Sequence, residues 1–217
     1  MQINMTTFAG RERHYIHRTL QSLFETSVDP DVSVALIMGS EDESHVQEYV
    51  NHPAIRIIPW DMESIPNLRW NCTLNKIRAL RYGDEDCTLI CEDDIKFKPG
   101  WFSKLCAAAN EMGDEEYILT ISRALEDGEP VRLLSGKRLV RQYPKFVLMG
   151  AQALYYPTKT LRSKVADYLT KNLKGGCGDD LIGRYARSFA DLYCTTDQLV
   201  THIGGISCFP VGEDGAL

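Results

Sequence analysis

Apolar residues follow two periods along this chain. In some stretches they run almost continuously, as in a strand buried on both faces. In others they recur every three to four positions, as in an amphipathic helix. On this reading 2–8 (QINMTTF) predicts a strand and 11–27 a helix, with Ile16, Leu20, Leu23 and Phe24 on one face. Residues 31–39 predict a second strand ending at Gly39, 43–51 a short helix, and 54–60 a third strand stopped near Pro59. A helix over 65–83 closes at Gly83. A fourth strand occupies 87–91, a helix that Pro99 can start spans 99–113, and a fifth strand covers 116–122. Beyond that point the pattern loosens. Residues 130–143 predict a hairpin around Ser135-Gly136, 145–157 a strand interrupted at Gly150, and 158–173 a helix closed by GGCG. A further helix over 179–189 and two short strands precede a glycine-rich tail.

Strands alternating with helices as far as residue 122 predict an α/β fold. The expected architecture is a single Rossmann-like domain with a mainly parallel central sheet flanked by helices and a less regular C-terminal half. Its two halves are 1–122 and 123–217. The 217 residues suit one such domain, and a 44% hydrophobic composition supplies its core. No repeat or low-complexity stretch interrupts it. No window offers the roughly 18 apolar residues of a membrane span, and the first residues lack the pattern of a secretory signal. Seven dispersed cysteines without a C-x-x-C pair suggest reduced thiols, and so a cytoplasmic protein.

Charge changes the picture in two places. The net charge of -6 is unevenly spread. Residues 111–129 hold seven acids and one base, Arg123, whereas 131–166 hold eight bases and no acid: Arg132, Lys137, Arg138, Arg141, Lys145, Lys159, Arg162 and Lys164. Such asymmetry marks either a polyanion-facing surface or a solvated face paired with the acidic stretch.

The second place is the end of the fourth strand. The run CTLIC leads directly into Glu92, Asp93 and Asp94. In open α/β sheets, ligands bind beyond the carboxyl ends of the strands. Alternation along an extended chain puts Glu92 and Asp94 on one side and Asp93 on the other. A divalent cation with a substrate diphosphate would make the cluster tolerable; a solvated acidic turn is the other reading.

Here the sequence resembles a family. ICEDDIKFKPGWFSKL is similar to the D-x-D region of GT-A-fold glycosyltransferases, and MTTFAGRERHYIHRTLQSL to their first strand and helix, where the base and ribose bind. LMGAQALYYP resembles the strand that faces the acceptor, GDDLIGRYA the acidic pair opening the late helix, and THIGGIS the H-x-G-x-x-S tail of some branching N-acetylglucosaminyltransferases. The set spans residues 3 to 208. The chain is short for the family.

The resemblance implies Asp94 and His202 as ligands of Mn²⁺ or Mg²⁺, the imidazole favouring Mn²⁺. It implies Glu92 and Asp93 on the nucleotide side, with Glu92 reaching the ribose or a metal-bound water. Thr6 and Arg11 would flank the nucleotide, joined by Arg69 and Asn75, which an amphipathic helix explains equally well. Asp180, with Asp179 beside it, would be the base, and two adjacent acids could raise one pKa. Asp179 serves equally as a helix cap, and a lone histidine such as His202 can be structural.

The function implied is metal-dependent transfer of a sugar, with inversion, from a nucleoside-diphosphate sugar, most simply UDP-linked, to an acceptor hydroxyl. The basic run 131–166 points to DNA as acceptor, as in small bacteriophage enzymes that glycosylate a hydroxylated base. A glycan or lipid-linked saccharide is the alternative acceptor. A sugar nucleotidyltransferase would carry a G-x-G-x-R loop after the first strand, whereas TTFAGRERH offers only Gly10. A non-catalytic sugar or nucleotide binder is the third class.

Overall fold

Strands β1 (Gln2–Thr7), β2 (Ser33–Met38) and β4 (Thr88–Glu92) are buried along nearly their whole length, as strands covered by helices on both faces must be. In the computed structural model they lie side by side with β3 (Ile55–Ile58), all parallel, in the order β3-β2-β1-β4. The structure describes residues 1–8, 13–26, 32–62, 68–113, 116–122, 132–133, 136–143, 148 and 151–204.

The sheet then continues through a reversed strand. Strand β9 (Ala153–Tyr156) runs antiparallel between β4 and β6 (Tyr117–Thr120). Beyond β6 come the parallel β10 (Asp191–Thr195), then β8 (Val140–Gln142) and β7 (Arg132–Leu133) as an antiparallel pair. Nine strands in the order β3-β2-β1-β4-β9-β6-β10-β8-β7 form this sheet among the described residues. The α/β class and the hairpin match the sequence reading, and the antiparallel pairings fall in the half that looked less regular.

The helices α1 (Arg13–Thr26), α2 (Leu68–Arg81), α3 (Trp101–Met112), α4 (Lys159–Lys171) and α5 (Gly178–Phe189) fall within two or three residues of the predicted ones. The start of α4 and the end of α3 follow ordinary capping chemistry. The Thr158 hydroxyl accepts the Leu161 N–H at 3.1 Å to start α4. Gly113, at φ 66°, closes α3 by donating to Ala109 O at 3.0 Å.

Two expectations change. Residues 43–51 make turns and a single 3₁₀ turn at Gln47–Tyr49, too short a segment to sustain an α-helix. A second small sheet was not foreseen: β5 (Ile95–Phe97) pairs antiparallel with β11 (Val200–His202), bringing His202 opposite Ile95.

The basic run is partly internal: Arg162 is buried, whereas Arg138, Lys159 and Lys164 are exposed. Arg162 is fully buried, and its guanidinium donates to the carbonyls of Leu80 and Tyr82 at 2.9 Å and of Glu85 at 2.5 Å. It therefore caps the C-terminal end of α2. Lys137 donates to Glu111 O at 2.9 Å, at the end of α3. Lys164 pairs with Glu116 at 2.7 Å, and Lys159 pairs with Asp84. Lys164 thus meets a carboxylate of the acidic stretch at the surface, whereas Lys137 meets the backbone carbonyl of Glu111. Lys145 lies outside the described residues.

Replacing Arg162 with Met leaves several helix-end carbonyls buried without donors, each worth about 1–3 kcal/mol. Denaturant unfolding should show a loss of at least about 3 kcal/mol; an unchanged midpoint would show that Arg162 does not cap α2.

Candidate active site

The parallel strands β1, β2 and β4 end on one edge of the sheet, and the three acids lie there. The turn that carries them is fixed from α1. The buried Thr19 hydroxyl lies 2.7 Å from Asp93 O and 2.6 Å from Ile95 O, sharing its one proton between them. Ser22 accepts the Phe97 N–H at 3.0 Å. These bonds tie α1 across the turn between β4 and β5.

Each carboxylate has its own partner. Asp93 points inward, 1% exposed, and accepts the Thr7 hydroxyl at 2.5 Å. Thr7 has only one hydroxyl proton, and His45 Nε2 lies 2.9 Å from the same oxygen. With that proton on Asp93, the imidazole must donate from Nε2. Glu92 forms an ion pair with Lys76 at 3.3 Å. Asp94, 4% exposed, meets His202 Nε2 at 3.0 Å through Oδ2. Asp93 and Asp94 lie in the bend between β4 and β5 and meet different neighbours.

The Asp94–His202 pair is made by the small second sheet. Ile203 N donates to Asp94 O at 2.8 Å, extending the β5–β11 ladder past His202. A Cβ on Gly204 would stand 2.3 Å from Asp94 Oδ2 and 3.0 Å from His202 Nε2, so only glycine leaves this corner open. Adjacent ligands of an octahedral cation with bonds of about 2.1 Å are about 3.0 Å apart, which the observed separation fits. Carboxylate oxygen and imidazole nitrogen also suit Mn²⁺. Among the described residues no cluster of three or more His, Cys, Asp or Glu side chains is arranged to hold a metal. A cation here would have two protein ligands and would take the rest from substrate and water.

The acidic pair of α5 is split. Asp179 forms an ion pair with Lys76 through Oδ1, and its Oδ2 accepts the Ala151 N–H at 3.0 Å. Burial alone would raise its pKa. The charge and hydrogen bond of Lys76, with the Ala151 N–H, instead hold it below the ordinary carboxylate value. For Asp179 this reverses the rise that adjacency of two acids suggested. Burial likewise pushes Lys76 down, but the carboxylates of Asp179 and Glu92 more than offset it and keep the ammonium charged. Asp180 is exposed at the first turn of α5, next in sequence to this network.

Two nucleotide-side candidates are spent on structure. Asn75 is fully buried, and its amide donates to Ile37 O at 3.0 Å, clamping α2 to the end of β2. A side chain so enclosed does not face a nucleotide. Thr6 is buried and donates to Cys91 O at 3.3 Å. Arg11 lies outside the described residues, as does the tail beyond Gly204, and Arg69 is placed only by its backbone in the first turn of α2.

Sequence reasoning missed Lys76, Thr7, Thr19, His45 and Gly204. Lys76 left a signal. It falls between Cys72 and Leu80 at four-residue spacing on α2, so it sits within an otherwise uncharged stripe. A lysine in such a place needs a carboxylate. The others carry no sequence signal, because their partners are backbone atoms or distant side chains.

By sequence, neither a protein-family model nor a curated protein matches this chain. By fold it is similar to solved glycosyltransferases. One is the galactosyltransferase LgtC, solved with donor and acceptor sugar analogues. It has a TM-score of 0.56 and 13% identity, over 97% of this chain and 88% of that one. Residues 1–349 of S. aureus TarS give 0.59 and 13%, over 93% and 60%. GalNAc-T7, solved with UDP, GalNAc and Mn²⁺, gives 0.67 and 10%, over 98% and 44%. At these identities the likeness is one of fold, and the fold is the GT-A type that the sequence motifs imply.

Proposed function

We propose that this chain is a metal-dependent glycosyltransferase, moving a sugar from a UDP-linked donor to an acceptor hydroxyl with inversion. The observation that carries the reading is the Asp94–His202 pair, 3.0 Å apart beside Gly204 at the carboxyl edge of the parallel strands. A side chain at Gly204 would collide with Asp94 Oδ2, so glycine keeps the pair intact and its outer side clear.

Asp94 and His202 would hold the cation, Mn²⁺ better than Mg²⁺. When bound, it would stabilise the negative charge that develops on the leaving diphosphate. Residues 1–122 would form the donor half and 123–217 the acceptor half. Glu92, paired with Lys76, would face the donor's ribose or sugar. Asp180, exposed at the start of α5, would take the acceptor's proton as its oxygen attacks the anomeric carbon. Attack opposite the leaving diphosphate gives inversion. Support for UDP and Mn²⁺ comes also from GalNAc-T7, which was solved with both.

A saccharide hydroxyl is the acceptor we favour. LgtC, of the same fold, was solved with an acceptor sugar analogue. The DNA reading rests on the basic run, of which Arg162 is buried and Lys137 meets a helix-end carbonyl, while Lys159 and Lys164 are exposed and paired with Asp84 and Glu116.

Three variants test this reading. Asp94→Ala should abolish Mn²⁺-dependent UDP binding by calorimetry; an unchanged affinity would refute the metal assignment. Gly204→Ala should weaken Mn²⁺ binding by about 10–100-fold, the scale seen when support around a metal site is lost. Equal Mn²⁺ titrations of the two proteins would remove the glycine from the site. Asp180→Asn should preserve UDP affinity and slow transfer by about 10²–10⁴-fold, and undiminished turnover would move the base elsewhere.

A further inference from the structure

Lys76 joins three elements that meet nowhere else through charge among the described contacts. It rises from α2, pairs with Glu92 at the end of β4 at 3.3 Å, and pairs with Asp179 in the first turn of α5. Its side chain is 12% exposed. The start of α5 is fitted to it: a Cβ on Gly178 would lie 2.8 Å from Lys76 Cδ, so the helix can approach the lysine stem only without a side chain there. Asp179 in turn uses both oxygens, one on Lys76 and the other on the Ala151 N–H at 3.0 Å. A carboxylate held at both oxygens is a poor acceptor for a further proton. Its neighbour Asp180 is the exposed member of the pair.

We propose that Lys76 is a positioning residue for sugar transfer: it fixes the α5 acid pair against the strand-end carboxylates and, by occupying Asp179, leaves Asp180 to act on the acceptor. This rests on the transferase reading above. Lys76 acts through Asp179 and Glu92 rather than by touching the reacting atoms. Its loss should therefore shift Asp180 relative to the donor without removing any donor contact. A displacement of about 1 Å at a reacting group can cost about 10²-fold in rate.

The test measures UDP release to water, with Mn²⁺, from UDP-glucose, UDP-galactose, UDP-N-acetylglucosamine and UDP-N-acetylgalactosamine. The donor that the wild-type chain turns over fastest is then used with Lys76→Met, Lys76→Arg and Gly178→Ala. Lys76→Met should lower kcat by about 10²-fold with donor KM changed less than about threefold. Lys76→Arg, which retains the charge, should recover at least about tenfold of that loss. Gly178→Ala removes no charge and displaces only the lysine stem, so it remains informative if Lys76→Met fails to fold. It should lower kcat by about tenfold, again at nearly constant KM. A folded Lys76→Met or Gly178→Ala protein with kcat within threefold of wild type overturns the proposal and leaves the transferase reading standing. A loss confined to donor KM also overturns it. No UDP release by the wild-type chain from any of the four donors overturns both.

Discussion

Three adjacent carboxylates at the end of a buried strand repel one another. Two like charges about 4 Å apart cost about 4 kcal/mol at an effective dielectric constant of 20. The site is organised by how that repulsion is relieved. Asp93 turns inward to a hydroxyl, Glu92 takes the ammonium of Lys76, and Asp94 meets an imidazole delivered by a strand 108 residues away. The first two arrangements are complete within the protein. The third leaves a carboxylate oxygen and a ring nitrogen at the spacing of two neighbouring ligands, with a glycine where any side chain would collide.

The sheet topology brings these partners to one place. Four parallel strands put their carboxyl ends on a common edge, and the reversed β9 carries the Ala151 N–H to that edge from the C-terminal half. Asp179 accepts from that N–H while holding Lys76, so the late helix is attached both to a strand start and to the acid cluster. The β5–β11 ladder performs the same service for His202. The core supports this edge, and the polar contacts that set the site are few and specific.

Much of this was legible in the sequence because period and position suffice for it. The apolar runs located β1, β2, β3, β4 and β6, and the helical spacing located all five helices. The acids stood out because they follow a buried strand. What escaped depends on tertiary partners. The strand β5 is three residues long, too short for its alternation to register. Asn75 and Arg162 carry the same residue types as ligand-binding groups, and only the carbonyls around them reveal structural roles. Polar residue type shows that a partner is required; the fold decides whether that partner is backbone or substrate.

The central claim is that Asp94 and His202 form one cation site served by a substrate diphosphate. The most direct measurement is anomalous diffraction at the manganese absorption edge from crystals grown with Mn²⁺ and UDP. The account predicts a peak within bonding distance of both Asp94 Oδ2 and His202 Nε2, in contact with the diphosphate. A peak elsewhere, or bound UDP with no metal at this corner, would contradict it.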